Sequence, residues 1–552
     1  MLTNSANRRI FPFVILLAVI FACYLPFIDK AFHIDDPLFV WGARQIDKNP
    51  ADYFGFTVDW YGRAFPMVQV ATNPPLTSYL IAFSAWINGW SEISIRSFFL
   101  IPFIGVIFGS YALAGQLCRY PLEAALVTLA APVVLVSVSS VMCDTSMLAF
   151  WVWAVHFWLL GIKRDNTQYL LFSAMLMGCA VLTKYFGISL ALLLGAYTLS
   201  HRRRLTKELW FLLVPILFLA EYEWVTYLLY GIGNITYSIN YAQIIPTEIG
   251  QPFWIKLFVG LSFAGGCFTS ILFFSNSLCR LQTLIFWVGL CVILIFVLSG
   301  FPISKWFPFL KEEDLIFSSV IQLAVFSTIG LGGLALTIEN LRRENNPDSF
   351  LLFLWILGTL VFAVFVNWTV NGRSFLPMAP AIGILIIRKI DSLNSNYLVG
   401  SKFIRFHSPL FLSLVLAFSV SASDYCMANN AREAAKDIFK RFGGENQRIR
   451  FTGHWGFQYY MQQNGAKPIG ESPLINGDLL VIAKNNLIDN KIDILEESIL
   501  WKEEAKFSSF PVVITMNPYL GAGFYSHFLG PLPFAFGRIP SDHYSIIKIV
   551  LK

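Results

Sequence analysis

The sequence predicts an α-helical polytopic membrane protein with about thirteen transmembrane helices, followed by a small extracytoplasmic α/β domain. Three observations predict it. Of the 552 residues, 56% are hydrophobic and only 13% are charged, whereas soluble domains carry about 25% charged residues. Apolar runs of about 18 residues or more, enough to cross roughly 30 Å of hydrocarbon, recur as far as Ala422. Beyond Ser423 the runs stop and polar and apolar residues mix. The chain therefore divides into a membrane domain over 1–424 and a soluble extracytoplasmic domain over 425–552.

The order of elements follows from the runs and from the basic residues between them. Arg8 and Arg9 precede the apolar stretch Ile10–Ile28. That stretch is long enough to span and has no small-residue cleavage site after it, so it reads as a retained first helix with its N-terminus in the cytoplasm. A long outer loop with amphipathic pieces follows, over 29–92. Spans then alternate over Ile93–Leu117, Leu122–Ser139 and Met147–Ile162, out to Lys184, back to "HRRR" at His201–Arg204, and out along Leu209–Tyr230.

A second outer loop covers Gly231–Lys256. Turns at Arg280, at "ENLRRENNPD" and at Arg388–Lys389 lie inside, and "FPISKWFPFLKEED" and "NWTVNGRSF" lie outside. Lys and Arg crowd the short inner turns, as the positive-inside rule requires. A last span, about Pro409–Ala422, leads out. The odd number of spans puts the tail on the side of the first outer loop. In the tail "AREAAKDIFKRFGG" reads as a two-faced helix, and "RIRFTG", "GDLLVIAK" and "FPVVITM" read as short strands.

Charge and cysteine usage exclude whole classes of function. The net charge of +6 is spread along the chain with no Lys/Arg block, so no basic stripe marks a nucleic-acid partner. None of the eight cysteines forms a CxxC pair, which speaks against a disulfide framework or a zinc site. Asn234-Ile-Thr and Asn367-Trp-Thr match the glycosylation sequon, a pattern that arises by chance in a chain of this length.

Chemistry-bearing residues stand at the outer ends of the spans. "HIDDPLFVWGARQI" places Asp35 and Asp36 just after the first helix. Alone, such a pair is explained as well by solvated charge, or a cap for the helix that Pro37 begins, as by a function. "ATNPPLTSYLIA" sets Asn73 and a rigid Pro-Pro pair before a new apolar stretch. "VMCDTSML" puts Asp144 at the outer end of its helix, where capping is the plain explanation, and "VLTKYFG" puts Lys184 at an outer turn. "NGRSFLPMAP" puts Arg373 at the start of a late span. Glu221 and Glu223 lie inside a span, in "LAEYEWVTYL". Intramembrane acids are functional candidates by default. His454, His527 and His543 show no metal-ligand spacing.

In this order the motifs resemble the GT-C membrane glycosyltransferases, in particular the bacterial relatives of protein O-mannosyltransferases and of lipid A aminoarabinose transferase. The tail segments "FTGHWGFQYYMQQNGAKPI" and "GAGFYSHFLGPLPFAFG" look like those of bacterial members. The resemblance implies a GT-C fold and transfer of a sugar from a polyprenyl-phosphate donor to an acceptor hydroxyl at the outer face of a bacterial inner membrane. Asp35 matches the first acid of the family's pair and would be the general base; Asp36, grouped with it as the catalytic pair, could hold Asp35 in place, contact sugar hydroxyls or help bind a divalent ion. Asn73-Pro74-Pro75-Leu76 matches the Lys-Pro-Pro-Leu motif, with Asn in place of Lys. Arg373-Ser-Phe-Leu-Pro377 matches Arg-Tyr-x-x-Pro, with Ser in place of Tyr.

The residue types suit this chemistry. A phosphate-linked leaving group departs as an anion and needs cations, which Arg373 supplies as a fork of donors and Lys184 as a point charge. A hydroxyl nucleophile needs a positioned carboxylate. One carboxylate on the attacking side implies a single inverting displacement. Asn73, Asp144, Glu221 and Glu223 are the remaining substrate-site candidates. The expected partners are the lipid-linked donor, membrane lipid and a lipid, glycan or protein acceptor. No cofactor is expected. A divalent cation on His33-Ile-Asp35-Asp36 stays open, although these ligands are few. The competing reading is a polyprenyl-lipid or sugar transporter, which would favour internal repeats and midplane polar groups. No repeat is visible, and only Glu221 and Glu223 fit it.

Overall fold

The computed structural model describes residues 3–550 apart from 61, 309, 311–312, 394–402, 445–446, 472 and 485–497. The side chains of Arg8 and Arg9, on which the expected orientation leans, lie outside the described residues. Among the described residues eight helices are long and apolar enough to cross a membrane, or nine if one bent pair counts as a span. Reaching thirteen takes shorter helices as well, such as Thr167–Thr183, Ser189–Arg202, Phe253–Cys267 and Ala379–Leu393.

The bent pair corrects the third expected span. Pro121–Leu129 and Pro132–Val138 meet at 67°. Pro132 has no amide proton to continue the ladder and clashes with the preceding turn, so the helix stops at Ala130 and restarts. Its second half is buried at every residue and ends in Ser139 and Ser140, directly beside the loop that carries Asp35. At the centre of the membrane domain Cys143–Lys163 packs between Glu92–Leu117 and Thr167–Thr183.

The first loop is built as its sequence implies. Asp36–Lys48 forms a helix with Pro37 in its first turn. Thr57–Trp60 pairs antiparallel with Arg63–Pro66. Leu76–Asn88 starts behind the Pro-Pro pair and is stopped by Gly89 at φ +87°. The second expected outer loop is different, because Asn234–Ile249 is helical. Its start is capped from the preceding helix Leu213–Tyr230, where the Glu223 carboxylate accepts from the amides of Ile235 (2.7 Å) and Thr236 (3.2 Å).

The two-faced tail helix is also not separate. Phe403–Phe442 runs as one helix of 40 residues through the last expected span and on into the tail. Beyond it, a five-stranded sheet runs in the order Lys467–Pro468, Ile449–Thr452, Leu479–Ala483, Asp542–Ile549, Ile499–Phe507. The first three strands are parallel and the last two pair antiparallel. The apolar interior of this domain is continuous with that of the membrane domain.

Candidate functional site

The loop after the first helix is held in an unusual shape. Ile34, a buried β-branched residue, has φ +51°, a conformation that costs on the order of 1–3 kcal/mol and persists only where the surroundings impose it. Those surroundings are fully buried charges. Lys30 Nζ donates to Asp424 (2.5 Å) and to Ser139 Oγ (2.9 Å). Arg96 donates through Nε to Lys30 O (2.9 Å), through Nη2 to Ala31 O (3.1 Å) and Asp36 (3.3 Å), and through Nη1 to Ser139 O. The Phe32 amide donates to the hydroxyl of Tyr460 in the tail (2.8 Å).

Asp35 and Asp36 point to different places. Asp36 is completely buried, and its carboxylate accepts from Arg96, from the His33 amide (3.1 Å) and from the Val141 amide (2.9 Å). It is therefore not a catalytic group open to substrate; it pins the loop. Asp35 occupies the N-cap position of Asp36–Lys48 yet makes no capping bond. Its carboxylate instead accepts from Arg373 Nη2 at 2.9 Å and keeps 31% of its side-chain surface exposed.

Arg373 continues the chain of charges. Its Nη1 lies 3.6 Å from Asp144 and against the Met142 thioether, and Lys184 Nζ donates to Asp144 at 2.6 Å. Asp144 is almost wholly buried; Arg373 and Lys184 retain 14% and 17% exposure. Asp144 is thus a bridge between two cations, not the helix cap that its position suggests. Lys184 closes the helix Thr167–Thr183. The four charges cancel in pairs, and a carboxylate is exposed at one end and an ammonium at the other.

The loop carrying Arg373 is clamped by its own sequence and by the tail. The Asn371 side chain caps the turn Gly372–Met378 by accepting from the Ser374 amide (2.9 Å), and Asn367 Nδ2 donates to Ser374 Oγ (2.9 Å). This engages the Asn367 sequon in structure. The Gly372 amide donates to Phe524 O at 2.6 Å, and a Cβ at Gly372 would meet the Phe524 ring at 2.5 Å, so only glycine allows this approach. His527 Nδ1 accepts from the Val370 amide (3.0 Å), which leaves the proton on Nε2 to bond Gln251 (2.9 Å).

Burial pushes His33 down to about 4, with Lys30 and Arg96 adding to the effect and Asp424 opposing it. Burial likewise pushes His527 down to about 3, helped by Lys256. Both rings are neutral in the fold, whereas an unfolded imidazole titrates near 6.5. Below that pH the unfolded chain binds protons that the fold refuses, so stability falls with pH, by about 1.4 kcal/mol per unit for each ring. The unfolding midpoint in detergent is expected to drop steadily from pH 6.5 to pH 5. A flat or rising midpoint would mean that at least one ring is charged in the fold.

The other candidates stand apart from this cluster. Asn73 is half-buried in the loop before Leu76–Asn88. Glu223 is a helix cap and Glu221 is exposed, so neither belongs with Arg373. Asn234 in the first sequon is buried. Its Oδ1 accepts from Tyr185 and Tyr222 and its Nδ2 donates to Val68 O and Ala71 O, tying the Lys184 turn to the segment before Asn73. Asp35 and Asp36, the acids considered for a divalent cation, face different cationic partners, Arg373 and Arg96. Among the described residues no group of three His, Cys, Asp or Glu side chains is placed to hold a metal. Arg96 and Asp424 stand in no motif, and Tyr525 lies within the quoted tail segment "GAGFYSHFLGPLPFAFG" with no role assigned to it there.

Comparison with known proteins adds a family match over part of the chain. Residues 72–227 match the family model of dolichyl-phosphate-mannose-protein mannosyltransferase. No curated protein matches the chain in sequence. Among solved structures, the Archaeoglobus fulgidus oligosaccharyltransferase in its apo form is similar at 14% identity and a TM-score of 0.46, over 80% of this chain and 61% of that one. The chain thus spans 61% of that enzyme's length. ArnT from Cupriavidus metallidurans bound to undecaprenyl phosphate is similar at 12% identity and a TM-score of 0.48, over 85% of this chain and 93% of that one. The arabinofuranosyltransferase AftD from Mycobacteria is similar at 12% identity and a TM-score of 0.40, over 97% of this chain and 40% of that one. The family match covers residues 72–227 alone, and that stretch carries Asp144 and Lys184.

Proposed function

We propose that the protein transfers a sugar from a polyprenyl-phosphate-linked donor to an acceptor hydroxyl at the outer face of a bacterial inner membrane. One observation carries the reading: the partly exposed Asp35 carboxylate lies 2.9 Å from the Arg373 guanidinium. A base for the acceptor and a fork of donors for the leaving phosphate therefore share one place. The family match over 72–227 and the second cation, Lys184, support the same chemistry.

Asp35 takes the proton of the acceptor hydroxyl. Its oxygen attacks the anomeric carbon, the bond from that carbon to the phosphate oxygen breaks, and the phosphate leaves as an anion toward Arg373 and Lys184. With one carboxylate on the attacking side, a single displacement inverts the anomeric centre. In this reading the N-terminus is cytoplasmic and the C-terminal domain is periplasmic. The acceptor is a lipid, a glycan or a protein hydroxyl.

The test uses membranes carrying the wild-type chain, a panel of labelled polyprenyl-phosphate sugars and a total envelope extract as acceptor. The expected result is label transferred from one donor, with the anomeric configuration of the product opposite to that of the donor. Retention of configuration would remove the single displacement. Absence of transfer from every donor, together with label crossing the bilayer, would replace the transferase reading with the transporter.

A further inference from the structure

The C-terminal domain places a side chain against the charged cluster. Tyr525 is buried, and the Arg373 guanidinium carbon lies over its ring, 5.5 Å from the centroid. Its hydroxyl donates to Asp424 at 2.8 Å. Asp424 sits on the long helix Phe403–Phe442, takes Lys30 on one oxygen and accepts Thr515 Oγ1 on the other at 2.8 Å. Lys30 begins the strained segment that ends in Asp35. Tyr525 therefore touches both halves of the site: Arg373 with its ring, and through Asp424 the segment that carries Asp35. The His33 ring packs edge-on against it at 5.8 Å.

We propose that Tyr525 is a positioning residue for the donor phosphate, holding the Arg373 guanidinium by one face so that its in-plane N–H edges stay aimed into the site. This rests on the reading of Arg373 as a phosphate ligand. Arginine accepts such a ring because its charge is delocalised over a weakly hydrated plane, and the donors at its edges remain available. The hydroxyl does a second, separable job as one of the bonds that satisfy buried Asp424. The ring serves the ligand and the hydroxyl serves the fold.

Two substitutions separate these jobs. Tyr525→Phe keeps the ring and removes the bond to Asp424. Tyr525→Gln removes the ring and keeps a donor. The full chain in detergent is titrated with undecaprenyl phosphate, and each variant's Kd is read beside its unfolding midpoint. Tyr525→Gln is expected to weaken binding about tenfold, with the KM for the lipid-linked donor rising in step and kcat little changed. Tyr525→Phe is expected to lower the midpoint and leave Kd within about twofold of wild type.

Thr515→Val, which removes another bond to Asp424 and touches no part of Arg373, is the control and should behave like Tyr525→Phe. Loss of affinity that follows the midpoint across all three variants would overturn the proposal, because Tyr525 would then act through the fold alone. Equal Kd in Tyr525→Phe and Tyr525→Gln would overturn it as well. A wild-type chain that binds no undecaprenyl phosphate would overturn it together with the donor reading. Binding without this pattern removes the role of Tyr525 and leaves the donor reading standing.

Discussion

Asp35→Asn is expected to lower sugar transfer by about 10²–10⁴-fold, the range a positioned general base contributes. The fold should survive, because the Asp35 side chain caps no helix and is 31% exposed. Arg373 keeps Asp144 as a counter-charge when Asp35 becomes neutral. Removing one carboxylate also removes a competitor for the guanidinium, so undecaprenyl phosphate should bind at least as tightly as to wild type. Initial transfer rates at matched protein levels, with Kd and the unfolding midpoint alongside, check all three points. A loss of less than tenfold would assign the proton to another group. Asp36→Asn supplies the contrast, since its damage should appear in the midpoint, as expected of an acid buried against Arg96.

The largest effect on stability is expected at the Lys30–Asp424 pair. Both side chains are completely buried, and removing one partner of such a pair costs about 3–5 kcal/mol because the other charge is left in a low-dielectric interior. Lys30→Met should therefore lower the unfolding midpoint sharply, or prevent accumulation of folded protein. The double change Lys30→Met with Asp424→Leu should recover part of the loss, as buried pairs replaced by apolar groups often do. The recovery is bounded by Thr515 and Tyr525, whose hydroxyls lose their acceptor. The coupling read from the double-mutant cycle is the measurement. A single substitution that costs under 1 kcal/mol would mean that water reaches the pair.

Much of this site was legible in the sequence, because a charge at the end of an apolar run is conspicuous. Asp35, Asp144, Lys184 and Arg373 stand out that way, and the structure brings them into one chain of contacts. Of the roles open to Asp36, the structure favours holding Asp35 in place, for a geometric reason. Successive residues at a helix start are turned about 100° apart, so two adjacent acids face different partners. Its partner Arg96 is 60 positions away and belongs to no motif.

The helix Asn234–Ile249 was hidden by its polar sequence, "NITYSINYAQ". Its start is fixed by Glu223 and by the tyrosines around Asn234, contacts that no periodicity displays. The break at Pro132 shows in the sequence as a proline, but hydropathy alone counts both halves as one run. In the tail, the strand Ile499–Phe507 carries "WKEEAK" at the sheet edge, where charges blunt pairing with other chains and also disguise the strand.

The uninterrupted helix Phe403–Phe442 has a mechanical consequence. At 1.5 Å per residue its 40 residues make a rod of about 60 Å, with Pro409 near its start and no proline beyond it, which joins the membrane-spanning region to the C-terminal domain. Asp424 sits within that rod, so the pivot that a movable cap would need is occupied by the buried pair with Lys30. The C-terminal domain is braced both by the long helix and by its contacts with the Arg373 loop. Any movement that opens the site to a ligand must belong to the elements not braced against this rod.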